Sequence, residues 1–157
     1  MTAFGHAIYA ALWLSFGAGH SLLAGDTLKK LFGGGYRLAF NLFALLHLAA
    51  IVLAGRVWLA PAGAAFDRPA WLQAIQWAMV AAGLAVLAAA MRGYDLGLFA
   101  GTAQLRAARA GAGLDDSDEP LRLDGLHRYV RHPLYAGTFP VLWGLADGEF
   151  ALATAVW

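Results

Sequence analysis

Three stretches of this chain, 4–24, 38–55 and 71–90, contain no Asp, Glu, Lys or Arg. A helix needs about 20 consecutive apolar residues to cross a bilayer, and each stretch is close to that length. Apolar and polar residues do not alternate over any useful distance, which argues against a β-barrel. Trp58 and Trp71 flank the loop between the second and third stretches, the position of interfacial aromatic anchors. Charged residues make up only 13% of the chain and hydrophobic residues 61%. A soluble domain carries about 25% charged residues, so composition and patterning agree. The expected fold class is all-α: a polytopic transmembrane helical bundle with three full spans.

A fourth apolar stretch, 133–146, is shorter and is followed by Asp147-Gly148-Glu149, after which another helix begins near 150. Together these read as a C-terminal helical hairpin cut short. The sequence stops in apolar residues at Trp157 with no basic or polar flank, so the expectation is a C-terminally truncated piece of a longer protein. At 157 residues, one membrane domain spanning 1–157 is expected.

Lys and Arg set the expected orientation. The first loop carries Lys29, Lys30 and Arg37, and the second only Arg56 and Arg68. The segment after the third span carries Arg92, Arg106, Arg109, Arg122, Arg128 and Arg131. This bias puts the N-terminus outside and 91–132 in the cytoplasm, for an integral membrane protein of a bacterial inner membrane. The N-terminus lacks a basic n-region and a small-residue cleavage pattern, so the first apolar stretch is expected to stay as a span. A net charge of +1 gives no broad basic surface for nucleic acid, so the partners expected are membrane lipid and a small molecule. The absence of cysteine excludes disulfides, zinc–cysteine sites and a thiol nucleophile.

Within 91–132, residues 94–110 are amphipathic and expected to be helical. Residues 111–120 hold glycine, proline and four carboxylates and read as a solvated loop, not a metal site. Gly33-Gly34-Gly35 reads as a flexible link. It follows no strand, so it is a poor phosphate cradle.

Chemistry concentrates in 125–137, where cations, imidazoles and phenols crowd the edge of apolar sequence. Such groups at membrane depth are costly and usually functional. Pro133 fits the first turn of a helix, which places His132 at its N-cap. The N–H groups of that turn favour anions, and Arg128 and Arg131 add positive charge. Tyr129 and Tyr135 offer flat faces and hydroxyls, while Gly125 and Gly137 permit close approach. A ligand with a carboxylate, a planar ring and hydroxyls would suit the segment. So would a simple cytoplasmic anchor of basic and interfacial aromatic residues, and the residues alone leave both open.

Arg131-His132-Pro133-Leu134-Tyr135-Ala136-Gly137, preceded by Gly125-Leu126-His127-Arg128-Tyr129-Val130, resembles the G-x-Y-x-x-x-RHP-x-Y-x-G signature of the integral-membrane methyltransferases. That superfamily includes isoprenylcysteine carboxyl methyltransferases and phospholipid methyltransferases. In one detail the match is shifted, since His127 and Tyr129 share the place usually taken by a single aromatic. Residues 94–105 are similar to a stretch of the methanethiol S-methyltransferase-like branch. His20-Ser21-Leu22-Leu23-Ala24, with Tyr36-Arg37-Leu38, resembles the same branch and the related NnrU membrane proteins. The resemblance implies S-adenosyl-L-methionine as cofactor, bound without a Rossmann fold. It implies Gly125, Tyr129, Arg131, His132, Pro133, Tyr135 and Gly137 at the cofactor, with His132 and Arg131 as catalytic residues. It also implies a small thiol or lipophilic methyl acceptor. A thiol would need deprotonation, for which His132 or His127 qualifies because imidazoles as a class titrate near neutral pH. A carboxylate acceptor would need only orientation, for example by Arg128. The superfamily's paired glutamates on a last helix are missing here, because Asp147 and Glu149 lie too close to the RHP motif.

His6, His20, Asn41 and His47 lie in or near the apolar runs. Such residues commonly hydrogen-bond between helices, and Ser21 suits that role too. A competing expectation is a haem-binding NnrU-like membrane protein ligated by His20 and His47. Their unequal depths along the two spans count against it, since axial ligands should sit nearly level.

Overall fold

In a computed structural model, residues 1–60, 65–112 and 125–157 are described, and helices account for nearly all of their regular structure. Eight α-helices follow in order: α1 (Ala3–Leu23), α2 (Asp26–Phe32), α3 (Tyr36–Ala54), α4 (Ala70–Met91), α5 (Leu96–Ala100), α6 (Thr102–Arg109), α7 (Pro133–Gly144) and α8 (Glu149–Val156). Short 3₁₀ turns at Gly33–Gly35 and Gly125–Arg128 and a π turn at Gly55–Leu59 complete the set. Most of the expected acidic loop, 113–120, and Arg122 lie outside the described residues.

The apolar stretches expected at 4–24, 38–55 and 71–90 coincide with α1, α3 and α4 to within two residues at each end. Among the described residues two helical stretches are long and apolar enough to cross a membrane: Asp26–Leu59, which contains α3, and α4. Of the three expected spans, α1 falls short. It has 21 residues, but two histidines, three glycines and two serines dilute its apolar character. At 12 residues, α7 is about 18 Å long, well below the ~30 Å hydrocarbon core.

By packing, the chain divides into two units: Met1–Ala10, Val52–Gly93 and Arg122–Trp157 in the first, Ala11–Ile51 and Tyr94–Leu121 in the second. The first unit is built on the contact of α4 with α7. A Cβ added at Gly83 would come 2.6 Å from the carbonyl oxygen of Gly137, and one at Gly137 would come 2.7 Å from Leu87 Cγ. One at Gly144 would meet Gln76 O and Val80 Cγ2, each at 2.6 Å. Glycine is therefore required at three successive turns of the interface, where small residues let backbones approach closely. At the end of the pair, Gln76 Nε2 donates to Ala146 O at 3.1 Å, and Gln76 Oε1 accepts from Arg68 at 2.5 Å.

Elsewhere in this unit Tyr9 is fully buried. Thr154 Oγ1 donates to Phe150 O at 2.8 Å, so its lone pairs face Tyr9 Oη at 3.0 Å and the phenol is the donor. The Tyr9 and Phe150 rings lie 5.9 Å apart, and Gly55 leaves room for both: a Cβ there would sit 2.5 Å from one ring and 2.8 Å from the other. The π turn starts at this glycine, one of the places where a helix ladder slips when packing demands it. Arg56 sits 6.0 Å over the Phe150 ring.

In the second unit, α3 packs on the latter part of α1 through rings. Phe16 stacks on His20 at 5.6 Å, His20 meets Phe40 at 4.6 Å, and Tyr36 stacks on Phe40 at 5.7 Å. Tyr36 Oη donates to Leu23 O at 2.8 Å. Residues 94–110 are helical as expected, but in two pieces. Asp95 caps α5 by accepting from the N–H groups of Gly97 at 2.8 Å and Leu98 at 3.0 Å. Gly101 ends it at φ +88, a left-handed conformation suited to glycine. Gln104, 5% exposed, donates to Leu98 O at 3.1 Å. The expectation of a flexible link at Gly33–Gly35 is corrected. The segment is a 3₁₀ turn packed on α6, and a Cβ on Gly34 would lie 2.4 Å from Ala108 Cβ and 2.9 Å from Gln104 O.

Gly83→Ala is expected to destabilise the protein by about 1–3 kcal/mol through overpacking. Gly17→Ala, where no atom lies within 4 Å of an added Cβ, is expected to be neutral or stabilising by about 0.5–1 kcal/mol, as for an exposed helix-interior glycine. Thermal unfolding in detergent followed by circular dichroism separates the two.

Candidate functional site

The segment 125–137 is a short turn leading into a helix start, and local rules explain both. Gly125 enters the 3₁₀ turn at φ +54. The N–H groups of Tyr129 and Val130 both close onto Leu126 O at 3.0 Å. Pro133 opens α7, since it lacks the N–H that the first turn would leave unused. His132 is the N-cap residue, with φ −129 and ψ 76, and its side chain makes no capping bond. Its carbonyl accepts from Ala136 N–H at 3.1 Å, which leaves the imidazole available for other contacts.

Two members of the RHP-x-Y-x-G run face inward and three face outward. Pro133 is less than 2% exposed, and Gly137 is buried against Gly83 and Leu87 of α4. Both hold the helix start in place. Arg131, His132 and Tyr135 are exposed, with the His132 and Tyr135 rings 5.3 Å apart at 33°. The structure thus brings His132 and Tyr135 together. Arg131 and Tyr129 lie on the same exposed segment, but among the described residues no hydrogen bond or ring contact joins either to that pair. Neither Arg128 nor Arg131 pairs with a carboxylate among the described residues. Gly125 is open to solvent, with nothing within 4 Å of an added Cβ.

The arrangement is therefore a cationic and aromatic edge on a fixed helix start. Unpaired guanidinium groups suit a carboxylate, and the imidazole–phenol pair gives a planar ligand a face. Gly137, which the resemblance places at the cofactor, faces α4 and acts through packing.

The histidines in the apolar helices have specific partners. Ser15 Oγ donates to Leu12 O at 2.6 Å, so its hydrogen is committed. His47 Nε2, 3.2 Å from that oxygen, must therefore be the donor. The other ring nitrogen, Nδ1, is buried with no hydrogen-bond partner among the described residues. Phe16 stacks on His20 and stands edge-on to His47, each at 5.6 Å. Asn41 fills the expected bridging role, donating to Phe99 O at 2.8 Å.

Composition and motif gave no signal for a third polar group. Glu149 opens α8 and accepts from the Met1 ammonium, and its Oε1 is 3.2 Å from His6 Nε2. The ammonium first and His6 second hold the Glu149 carboxyl below its ordinary value of 4.5. The only advance hint was a histidine near the N-terminus with no partner close in sequence.

A family model described as NnrU protein matches residues 8–147, and the chain belongs to that family. No curated protein and no solved structure matches it significantly.

The depressed Glu149 pKa fixes the sign of a pH effect. Its contribution to stability is present above about pH 4.5 and is lost as pH falls through the folded-state pKa. The unfolding temperature of the native protein is expected to drop as pH falls below that value. In Glu149→Gln the drop is expected to be smaller, with a lower starting stability at pH 7, as measured by thermal unfolding across pH 3–7.

Proposed function

We propose that this NnrU-family chain is a membrane-embedded, S-adenosyl-L-methionine-dependent methyltransferase acting on a small thiol or lipophilic acceptor. One observation carries the reading: the RHP segment is divided between buried anchors, Pro133 and Gly137, and exposed reactive groups, Arg131, His132 and Tyr135. An anchor whose only task was positive charge would not require a buried proline, a glycine packed to within van der Waals limits and an imidazole released from capping. Apolar α3 and α4 support membrane residence, and the Lys and Arg bias favours 91–132 on the cytoplasmic side.

The residues fit the chemistry of the cofactor. Arg131 and Arg128 match its carboxylate, and the paired faces of His132 and Tyr135 match its planar base. When bound, the cofactor supplies an electrophilic methyl on a sulfonium centre. The protein's own work would then be placement of the reactants and exclusion of water. Arg131 orients, and His132 is the base at hand for the proton of a thiol acceptor. Pro133 and Gly137 keep both on a fixed helix start.

Titration calorimetry of the full-length protein in detergent with S-adenosylhomocysteine tests this. Binding is expected, and His132→Ala and Tyr135→Ala are each expected to weaken it at least tenfold. Arg131→Lys should not restore full affinity, because an ammonium cannot form the paired bonds of a guanidinium. Absence of binding, or variants that bind like the native protein, overturns the reading.

A further inference from the structure

The charged edge 125–137 of the first unit lies at a definite height on α4. Gly144 packs on Gln76 and Val80, and Gly137 on Gly83 and Leu87, so the two helices run antiparallel. Carried forward, that register brings Arg131 about level with Met91, the last residue of α4. The turn Gly125–Arg128 also lies against α4, which holds Arg128 at the same end. Since α4 is long and apolar enough to cross a membrane, a group level with its last residue sits at the boundary between hydrocarbon and headgroups.

That edge offers positive charge without a counter-charge. Arg128 and Arg131 are exposed, and neither pairs with a carboxylate among the described residues. Only Tyr129 and Val130 separate them in sequence, 78% and 38% exposed, a phenol suited to a membrane interface beside an aliphatic group. The N–H groups of both close onto Leu126 O at 3.0 Å, so the arginines leave a formed turn instead of a loose chain. Two guanidiniums attract a phosphate. A phosphatidylcholine headgroup adds its own ammonium, which they repel, whereas a phosphatidylglycerol headgroup carries none. Charge therefore selects between membrane lipids.

We propose that Arg128 and Arg131 hold the phosphate of an anionic phospholipid at the membrane surface. The contact is one of charge and depth and does not depend on methyl transfer. The proposed cofactor site draws on the same two arginines, so lipid and S-adenosyl-L-methionine exclude one another there. An anionic bilayer thereby lowers cofactor occupancy, a regulation of that site which rests on the methyltransferase reading.

The full-length protein is reconstituted in phosphatidylcholine bilayers with a tracer of phosphatidylglycerol or phosphatidylcholine that carries a photoreactive diazirine close to the glycerol. After irradiation, labelled peptides are mapped by mass spectrometry. With the phosphatidylglycerol tracer, labelling of 125–137 is expected to exceed that of the lysine-bearing helix α2 at least threefold. It is expected to exceed labelling by the phosphatidylcholine tracer by a similar factor. Arg128→Gln with Arg131→Gln is expected to lower it tenfold or more, at roughly fivefold per charge, with helical content unchanged. Arg128→Lys with Arg131→Lys is expected to keep it within twofold, because a mobile phosphate is held by charge, whereas a bound cofactor distinguishes ammonium from guanidinium. Equal labelling by both tracers, equal labelling of α2, or indifference to the double glutamine variant overturns the proposal, and so does loss of labelling in the double lysine variant. If the double glutamine variant loses helical content, the two tracers compared on the native protein decide. Saturating S-adenosylhomocysteine is expected to lower the labelling. A lipid signal that follows the arginines but ignores S-adenosylhomocysteine leaves the lipid site standing and overturns the placement of the cofactor at them.

Discussion

The backbone contact between α4 and α7 is the constraint on which the rest of the first unit depends. Gly83, Gly137 and Gly144 each lie so close to the facing helix that a single methyl would overlap backbone or side-chain atoms. Such an interface gains its energy from dispersion over many close atoms, and it tolerates little displacement because packed interiors do not deform smoothly. Fixing α7 fixes its first residue, Pro133, and hence the direction in which Arg131, His132 and Tyr135 leave the helix. The candidate site inherits its rigidity from a contact that includes none of its charged groups.

Polar side chains in the apolar helices obey a second rule: their hydrogen-bonding capacity is directed to specific partners. Tyr36 donates to Leu23, Asn41 to Phe99, and His47 to a serine whose own hydrogen is already committed. Each bond ties one helix to another and pins its rotation, since an unsatisfied polar group away from water costs several times the net gain of a made bond. The second unit therefore has a defined arrangement of rings around Phe16 and Phe40. Among the described residues His47 Nδ1 departs from this rule, buried without a hydrogen-bond partner. The proposed methyl transfer rests on the exposed Arg–His–Tyr edge at this fixed helix start, in a chain of the NnrU family.

The sequence by itself determined where the helices run. Uncharged apolar runs put α1, α3 and α4 within two residues of their ends, Pro133 started α7, and Asp147-Gly148 separated α7 from α8. These signals are local: apolar periodicity, a residue without an N–H, a glycine beside a carboxylate. Tertiary structure alone decided what the small and polar residues do. Gly137 reads as a ligand-side glycine until Leu87 and the Gly83 carbonyl are brought against it, and Gly33–Gly35 reads as slack until α6 closes on Gly34. The partner of Glu149 lies 143 positions away at His6, and that of Ser15 lies 32 positions away at His47. The physical reason is range. Helix formation depends on residues within a turn or two of one another, whereas a close approach, a hydrogen-bond partner or a cavity wall exists only once distant segments have packed.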